Sequence, residues 1–337
     1  MSMHELEATI LQLAVPGKGI LAADESTGTI GKRFASINVE STLETRRAYR
    51  ELLFTTPGIE EFISGVILYE ETLGQKTANG KLFAELLADL GIVPGIKVDK
   101  GVTRLPNTDD EKITMGLDGL AERLANYKEM GARFAKWRAV LNIADNKPSR
   151  ISMHANAEAL ASYAALCQDQ GIVPIVEPEL LMDGNHSLQR SAEATEATLH
   201  TVFHALHKHG VILEGIVLKP SMVITGTEHK PQASVMEVAQ ATLKVLRRTV
   251  PAAVPTINFL SGGQSSEVAT AHLNAMNMTK HLPWLLSFSY GRALQDTCLK
   301  TWQGKAENVK AAQQAFYKRA KLNSAACKGQ YTAAMEG

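Results

Sequence analysis

Residues 172–180 read IVPIVEPEL, which is the pattern of a β-strand buried on both faces. A nearly uninterrupted apolar run of this length is typical of a parallel strand that helices cover on both sides. Two acidic residues, Glu177 and Glu179, lie near the end of the run. Because residues two apart on a strand point to the same face, both carboxylates are expected on one side of the sheet. The buried strand indicates an α/β fold, and the two carboxylates near its end indicate where the functional site lies.

Seven further stretches of the same kind occur along the chain. They are GILAAD (19–24), ISGVILY (63–69), VPGIKV (93–98), RFAKWRAVL (133–141), LEGIVLKP (213–220), TINFLSGG (256–263) and LLSFSYG (285–291). Helix-like segments lie between them, at 119–129, 155–170, 190–208, 234–248 and 265–276. Eight strands alternating with helices predict an α/β fold, a single-domain (β/α)8 (TIM) barrel over residues 1–337. A doubly wound open sheet is the alternative, because periodicity does not show closure. Within this domain, 1–14 is predicted as an N-terminal helix and 318–337 as a C-terminal tail.

Composition and charge exclude several classes of function. The 337 residues include 35 basic and 35 acidic side chains, so there is no basic surplus for binding nucleic acid or an anionic membrane. Three cysteines, Cys167, Cys298 and Cys327, form no CxxC pair, which favours a reducing compartment and argues against a cysteine-rich zinc site. Neither a signal pattern nor an apolar run of about 20 residues is present, so we expect a cytoplasmic protein.

Ionisable residues recur within or at the ends of the predicted strands. An outward-facing charge would lie in a dry interface with the helices, so these charges are expected inside the barrel mouth, at the C-terminal ends of the strands. A structural ion pair explains any one of them, but it does not explain convergence from at least five strands. The residues concerned are Asp24, Lys97, Lys136, Arg138, Glu177, Glu179, Lys219 and Arg292.

Lys219 is the strongest candidate for a nucleophile. Burial and a nearby cation, for which Lys136 is the candidate, both favour the neutral amine that attacks a ketone to form a Schiff base. Glu177 and Glu179 are carboxylates suited to proton transfer around the carbinolamine. The alternatives are a lysine that extends its ammonium group to the strand end, and a glutamate pair that forms salt bridges with Lys136 and Arg138.

Two segments predict phosphate sites. LSGGQS (260–265) follows the seventh strand and Gly291-Arg292 follows the eighth, and barrel enzymes often bind phosphate with these two loops. Consecutive glycines let backbone N–H groups converge on an anion, and an arginine adds a charged fork. The second segment is DESTGT (24–29), followed by Lys32 and Arg33; simple helix capping is its alternative interpretation.

Four histidines have a spacing that could hold a metal ion. His200, His204, His207 and His209 occupy the last turns of a predicted helix, where imidazole favours the helix dipole and the side chains commonly face solvent. No acidic ligand or outgoing loop joins them. The sequence therefore predicts no catalytic metal.

Together, these motifs resemble those of the class I fructose-bisphosphate aldolases. The resemblance covers residues 15–331 in order, through GKGILAADESTGTIGKR, GIKVDKG, FAKWR, IVPIVEPE, LKPSMV, FLSGGQS and SYGRALQ. It implies a cytoplasmic homotetramer of (β/α)8 barrels, active in glycolysis and gluconeogenesis. The implied enzyme is a lyase that reversibly cleaves fructose 1,6-bisphosphate to dihydroxyacetone phosphate and glyceraldehyde 3-phosphate. It would use a lysine imine without a metal or other cofactor, and its partner would be the phosphosugar.

The resemblance also implies roles for individual residues. Lys219 would be the Schiff-base lysine, Glu177 the general acid and base, and Asp24 the partner of the substrate hydroxyl at the bond being cleaved. Lys136 would stabilise charge and keep Lys219 neutral, while Glu179 would hold the lysines in place. Phosphate and substrate contacts are assigned to Ser261, Gly262, Gly263, Ser289, Gly291 and Arg292 at one end, and to Ser26, Thr29, Arg33, Lys97 and Arg138 at the other.

The chain departs from many animal relatives at its C-terminus. Those relatives end in a longer tail whose terminal tyrosine assists enamine protonation, whereas here the sequence ends at Gly337, six residues after Tyr331. The role of enamine protonation is therefore unfilled, or filled by Tyr331 or Glu177.

Two other functions remain open from sequence: another lysine-imine barrel enzyme, such as a transaldolase-like one, and a non-catalytic phosphosugar-binding protein.

Overall fold

Eight parallel strands close into a barrel in this computed structural model, which describes residues 3–337. The order around the barrel is β1-β10-β9-β8-β7-β6-β3-β2, and β1 pairs with both β2 and β10. Closure confirms the predicted (β/α)8 barrel and excludes the open sheet. The strands are β1 (Gly19–Ala23), β2 (Ile63–Leu68), β3 (Val93–Lys97), β4 (Val102–Arg104), β5 (Lys112–Thr114), β6 (Phe134–Leu141), β7 (Val173–Leu180), β8 (Val217–Leu218), β9 (Thr256–Phe259) and β10 (Leu285–Tyr290).

Helices surround the barrel and cover its outer face. They are α1 (Met3–Leu13), α2 (Thr27–Ala35), α3 (Leu43–Phe54), α4 (Glu70–Leu73), α5 (Phe83–Asp89), α6 (Leu120–Glu129), α7 (Arg150–Asp169), α8 (Leu188–Lys208), α9 (Val235–Thr249), α10 (Ser266–Asn277), α11 (Arg292–Trp302) and α12 (Val309–Cys327). The predicted N-terminal helix corresponds to α1, and residues 1–2 of that prediction lie outside the described part. Helix α12 continues to Cys327, so the segment predicted as a tail begins inside a helix. Within residues 3–337, no helix is long and apolar enough to cross a membrane.

Side chains inside the barrel change from apolar to charged along the strands. On β7, Val173 and Ile175 belong to an apolar cluster inside the barrel, and Glu177 follows on the same face. On β6, Phe134 lies in that cluster and Lys136 follows. One end of the barrel is therefore an apolar core, and the end where the strands terminate carries the charges.

Helix α1 closes the apolar end. Its residues Leu6, Ile10 and Leu13 pack in the same cluster as Phe134. The Phe134 ring needs a glycine on β3, because a Cβ at Gly95 would lie 2.3 Å from ring carbon atoms. Substrate access is therefore expected at the opposite end, where the charged residues lie.

A two-stranded hairpin follows β3 in a segment where the sequence predicts neither a strand nor a helix. Strands β4 and β5 are antiparallel, and Val102 pairs with Thr114. The Thr114 hydroxyl donates to the carbonyl of Arg138 (2.8 Å), which ties the hairpin to the rim of the barrel. Three-residue strands with several charged side chains lack the apolar run by which the longer strands are recognised.

Candidate active site

A cavity of about 1010 Å³ opens at the charged end of the barrel. Its wall includes residues from the ends of β1, β3, β6, β7, β8 and β10, so charges from six strands converge as the sequence predicted. The predicted site residues in its wall are Asp24, Ser26, Thr29, Arg33, Lys97, Lys136, Arg138, Glu177, Lys219, Gly291 and Arg292. The remaining predicted residues, Glu179, Ser261, Gly262, Gly263 and Ser289, are described below by their own contacts.

Four side chains form a series of alternating charge in the cavity. The Nζ of Lys219 lies 3.3 Å from Oε1 of Glu177, and Oε2 of Glu177 lies 3.3 Å from Nζ of Lys136. Lys136 Nζ then donates to Oδ2 of Asp24 at 2.7 Å. Lys219 is only 3 % exposed, so its amine is not extended into solvent at the strand end. A buried amine next to a carboxylate is the arrangement that imine chemistry needs.

The backbone places Lys219 directly beyond β8. Its N–H donates to the carbonyl of Val176 on β7 (2.8 Å), which extends the strand pairing by one residue. Because Val217 points into the barrel core, Lys219 two residues later points the same way. The position of the amine is therefore set by the sheet and not by a flexible loop.

Charge interactions fix the protonation of Asp24 and Lys136. Burial alone would raise the pKa of Asp24, but the ammonium groups of Lys136 and Lys219 outweigh burial and hold this pKa well below its usual range. Burial alone would lower the pKa of Lys136, but Asp24 and Glu177 outweigh it and raise this pKa above the normal lysine value. Asp24 is therefore an anion and Lys136 a cation at neutral pH.

Glu179 shares a face with Glu177 but has a different partner. It forms an ion pair with Arg138 on β6 and is 7 % exposed. The expectation that Glu179 holds the two lysines is corrected, because its carboxylate holds Arg138. The physical reason is the register of β6 and β7, which sets Val140 opposite Glu179 and leaves Lys136 four residues back, opposite Ile175.

The loop after β9 carries the first predicted phosphate site, which we call, together with the adjacent arginine at the start of α11, the glycine arm: Ser261, Gly262, Gly263 and Arg292. Gly262 and Gly263 have positive φ angles of 59° and 92°. A Cβ at Gly263 would lie 3.2 Å from Nη2 of Arg292, so the loop and this guanidinium are adjacent. Ser289, 1 % exposed on the neighbouring strand β10, is buried in the barrel wall.

Neutral hydrogen bonds hold the glycine arm. The side-chain amide of Gln264 donates to the Ser261 carbonyl (3.0 Å), and the Nδ1 of His272 on α10 donates to the Gln264 side-chain oxygen (2.6 Å). Burial lowers the pKa of His272 to about 4, so the ring is neutral at pH 7. The loop conformation is therefore supported without any charged group.

The start of α2 carries the second predicted phosphate site, whose residues we call the arginine arm: Ser26, Thr29 and Arg33. Ser26 is the N-cap of α2 and accepts from the N–H of Thr29 (3.4 Å), so the capping interpretation is confirmed for Ser26. All three side chains also line the cavity, where a helix N-terminus favours an anion. Arg33 forms an ion pair with Glu25, and its Nη2 lies 3.7 Å from where a Cβ on Gly291 would stand.

Lys97 has a partner that the sequence analysis missed. Its Nζ lies 2.6 Å from Oδ1 of Asp99, which is 7 % exposed and also lines the cavity. The alternation of side chains along β3 was the available signal, since Asp99 lies two residues after Lys97. The other charges of the wall that the sequence did not indicate are Glu70, Lys100, Asp296 and Lys300, whereas Glu25 and Lys32 belong to the second predicted phosphate site.

The structure also places the histidines whose spacing could hold a metal ion. His209 lies on the surface with Nε2 2.8 Å from Oε2 of Glu158. Among residues 3–337, no group of three or more His, Cys, Asp or Glu side chains has a metal-binding arrangement.

Tyr331 is buried against α10, where its N–H donates to the side-chain oxygen of Asn274, and its hydroxyl donates to Glu336. Its hydroxyl is therefore engaged away from Lys219.

Comparison with known proteins identifies the family. A family model described as "Fructose-bisphosphate aldolase class-I" (glycolytic) matches residues 5–337. The chain belongs to this family. This match, like the motifs, spans the whole barrel. The assignment to the class I aldolases therefore rests on the whole chain and not on Lys219 alone.

Individual class I aldolases agree with this assignment. The chain is 57 % identical to "Fructose-bisphosphate aldolase 4, cytosolic" of Arabidopsis thaliana over 97 % of this chain and 84 % of that protein. It is 54 % identical to "Probable fructose-bisphosphate aldolase class 1" of Xanthomonas campestris over 98 % and 99 % of the two chains. A solved aldolase of Plasmodium falciparum, in complex with TRAP and a small-molecule inhibitor, superposes with a TM-score of 0.97 at 52 % identity, over 98 % of this chain and 96 % of that one.

Proposed function

We propose that this class I fructose-bisphosphate aldolase uses Lys219 as its imine-forming lysine in the reversible cleavage of fructose 1,6-bisphosphate. The observation that carries the proposal is the buried series from Lys219 through Glu177 and Lys136 to Asp24 at the barrel mouth. The products are dihydroxyacetone phosphate and glyceraldehyde 3-phosphate. The reaction makes the chain an aldehyde-lyase.

Imine formation uses Lys219 and Glu177. A proton passes from the Lys219 ammonium group to the Glu177 carboxylate, 3.3 Å away, which gives a neutral amine and a carboxylic acid. The amine attacks the C2 ketone and gives a carbinolamine, whose hydroxyl leaves as water after Glu177 donates the proton to it. Glu177 is correctly placed for this step, since Oε1 lies 3.3 Å from the Lys219 nitrogen. The product is a protonated imine, which acts as an electron sink.

Cleavage then uses the carboxylate that Glu177 has become. The C3–C4 bond breaks, its electron pair moves into the imine to form an enamine, and the C4 hydroxyl loses its proton to Glu177 as the aldehyde forms. Asp24, held ionised by Lys136, accepts a hydrogen bond from the C3 hydroxyl at the other end of the bond being cleaved and orients that bond. Protonation of the enamine at C3 and addition of water to the imine release dihydroxyacetone phosphate. Glu177 is also the candidate donor of the enamine proton, because Tyr331 is engaged elsewhere.

The two arms position the substrate across Lys219. The glycine arm offers backbone N–H groups and Arg292 to one phosphate, and the arginine arm, with Lys97 and Arg138, offers hydroxyls and cations to the other. Fixing both ends of a flexible sugar brings its ketone to the amine and converts binding energy into orientation.

The same proposal includes the setting of the enzyme. Catalysis needs no metal, because the covalent imine on Lys219 performs the activation. We place the enzyme in the cytosol, since the Arabidopsis relative is named as cytosolic, and expect a homotetramer as the sequence resemblance implies. With 35 basic and 35 acidic side chains, the partner is the phosphosugar and neither nucleic acid nor a membrane.

Trapping the imine tests the proposal. Borohydride reduction in the presence of dihydroxyacetone phosphate, followed by peptide mass mapping, is expected to show an adduct on Lys219 that Lys219→Ala abolishes. Lys208→Ala is the matched control, because Lys208 lies on the surface beside Glu158 and its loss leaves the adduct unchanged. Cleavage of fructose 1,6-bisphosphate is expected to persist in a chelator.

Three outcomes contradict parts of the proposal. The absence of an adduct on Lys219 overturns the assignment of the lysine. Loss of activity in the chelator overturns metal independence. An adduct without cleavage of fructose 1,6-bisphosphate favours a different lysine-imine enzyme.

A further inference from the structure

A buried arginine lies one layer behind the cavity wall. Arg50 extends from α3, is 2 % exposed, and has its Nη2 at 2.5 Å from Oε2 of Glu25. Glu25 lines the cavity and is also buried. A buried ion pair is a weak source of stability, because desolvation offsets much of the attraction. The location of this pair directly behind a wall residue therefore suggests a function.

Glu25 connects Arg50 to the arginine arm. Its Oε1 accepts from Arg33 and from the side-chain amide of Gln295 (3.0 Å), while its Oε2 faces Arg50. Gln295 is itself held by the carbonyl of Ala22 (2.7 Å) and the hydroxyl of Tyr49 (3.1 Å). The carboxylate is thus fixed on both oxygens, and Arg33 is oriented through it.

Two adjacent carboxylates follow β1, and each has its own cations. Asp24 faces Lys136 inside the barrel, whereas Glu25 faces Arg33 and Arg50 outside it. Burial alone would raise the pKa of Glu25, but Arg50 and then Arg33 outweigh burial and lower this pKa. Glu25 is therefore a permanent negative charge at the edge of a site that must receive a phosphate.

Arg50 changes the net charge presented to that phosphate. Arg33, Glu25 and Arg50 together carry one positive charge (+1 − 1 + 1), whereas Arg33 and Glu25 without Arg50 carry none (+1 − 1). An uncompensated carboxylate would both repel the phosphate and attract more of the Arg33 guanidinium towards itself. With Arg50 present, one Arg33 amino group binds Glu25 and the other, Nη2, stays towards Gly291.

We infer that Arg50 is a positioning residue of this aldolase: it neutralises Glu25 and so keeps the charge and orientation of Arg33 available to a substrate phosphate. The inference rests on the proposed role of Arg33 in phosphate binding. Arg50 itself touches no substrate, and its effect on the reaction passes through Glu25 and Arg33.

A double-mutant cycle between Arg50 and Arg33 tests the inference. Arg50→Met is expected to raise the KM for fructose 1,6-bisphosphate about tenfold with kcat nearly unchanged. The inhibition constant of inorganic phosphate is expected to rise in parallel. In an Arg33→Ala background, the same Arg50→Met change is expected to alter KM less than about twofold, because the group through which it acts is gone. Arg50→Lys, which keeps the positive charge, is expected to restore most of the lost affinity.

Arg46 provides the matched control on the same helix. It is partly buried and donates two hydrogen bonds, of 2.8 and 2.7 Å, to Glu71. Arg46 therefore represents an arginine whose ion pair is only structural. Arg46→Met is expected to lower the melting temperature while KM and the phosphate inhibition constant stay within about twofold of wild type. This contrast separates a loss of stability from a loss of phosphate affinity.

Specific results would overturn the inference. If Arg50→Met raises KM equally with and without Arg33, Arg50 acts independently of the arginine arm. If Arg33→Ala alone leaves KM unchanged, the proposed phosphate role of Arg33 fails, and the inference fails with it. An unchanged KM in Arg50→Met contradicts the inference. If Arg50→Met does not fold, Arg50→Gln, which also removes the charge, takes its place in the cycle, and an unchanged KM in that variant contradicts the inference.

Discussion

The glycine arm and the arginine arm are built from different chemistry. The glycine arm presents backbone N–H groups whose direction depends on two positive φ angles, and neutral hydrogen bonds through Gln264 and His272 support it. The arginine arm presents a guanidinium that a buried carboxylate orients and a second buried guanidinium compensates. Both arms are proposed to bind the same chemical group, but different forces fix them.

The two arms are therefore sensitive to different changes. The backbone N–H groups of the glycine arm depend on conformation, so a single added methyl group disturbs them. A side-chain arm depends on charge balance, so it responds to ionic strength and to residues behind the wall. Variants of each type therefore distinguish the two arms.

The largest effect is expected from Gly263→Ala in the glycine arm. The added Cβ would lie 3.1 Å from Sδ of Met182 and 3.2 Å from Nη2 of Arg292, at a φ of 92° that side chains rarely adopt. Strain of about 1–3 kcal/mol corresponds to a loss of about fivefold to about 150-fold in kcat/KM when the loop relieves it by moving. Steady-state kinetics with fructose 1,6-bisphosphate measure this loss.

Gly210→Ala is the control for strain alone. Gly210 has a φ of 66°, and a Cβ there meets nothing within 4 Å. It lies after α8, away from the cavity, so the variant is expected to lose stability but to retain kcat/KM. Equal losses of kcat/KM in the two variants would show that the glycine arm is not the sensitive element.

A smaller effect is expected from removing the support of the glycine arm. Gln264→Leu deletes the hydrogen bond to the Ser261 carbonyl and the acceptor of His272. The loss of one such bond costs about 1 kcal/mol, so kcat/KM should fall about fivefold. Gln189→Leu, which removes an exposed bond to Glu193 on α8, is the control and should have no effect. An unchanged kcat/KM in Gln264→Leu would mean that the loop needs no support from α10.

A few-fold effect is expected from ionic strength, and it should depend on the arginine arm. Raising salt from about 0.05 to 0.5 M shortens the screening length, so KM should rise in the wild type by a few-fold. In Arg33→Ala the same change in salt should raise KM less, because one of the cations being screened is missing. An identical salt dependence in both proteins would contradict the proposed division between the two arms.

The smallest effect on catalysis is expected from deleting the residues after Tyr331, which belong to neither arm. Glu336 binds the buried Arg319 with two hydrogen bonds of 2.7 and 2.9 Å and accepts from Tyr331 (2.8 Å). Cleavage should be nearly unchanged, while the melting temperature falls by a few degrees because the buried Arg319 loses its two hydrogen bonds to a carboxylate and keeps only Thr270 and the more distant Glu267. A large loss of turnover would contradict this expectation.

The pH dependence of that stability loss has a defined sign. Burial alone would raise the pKa of Glu336, but hydrogen bonds from Arg319 and Tyr331 outweigh it and lower the pKa below its normal value of 4.5. The contribution of Glu336 is therefore complete above pH 4.5 and is lost as the pH falls through the lower folded value. Thermal melts of full-length and truncated chains should differ at pH 7 and converge in acid.

Much of the site could be predicted because its signals are local. The alternation of side chains along a strand is a property of the backbone, so Val173-Ile175-Glu177 and Val217-Lys219 already indicate which residues share the inner face. The same reasoning missed Asp99, although it lies two residues after Lys97, because β3 was interpreted as ending before it. The hairpin of β4 and β5 was missed because its strands have no apolar run.

The eight strands, the charged inner face at their ends and the candidate lysine can be predicted from sequence alone, because these features follow from periods of two and from residue chemistry. Closure of the sheet, the pairing of Glu179 with Arg138 and the place of Arg50 behind Glu25 are visible only in the folded chain. These features depend on strand register and on side chains 25 or more residues apart in the chain. Residue pairs that are so far apart in the chain form only when the whole barrel packs. No short stretch of sequence therefore predicts them.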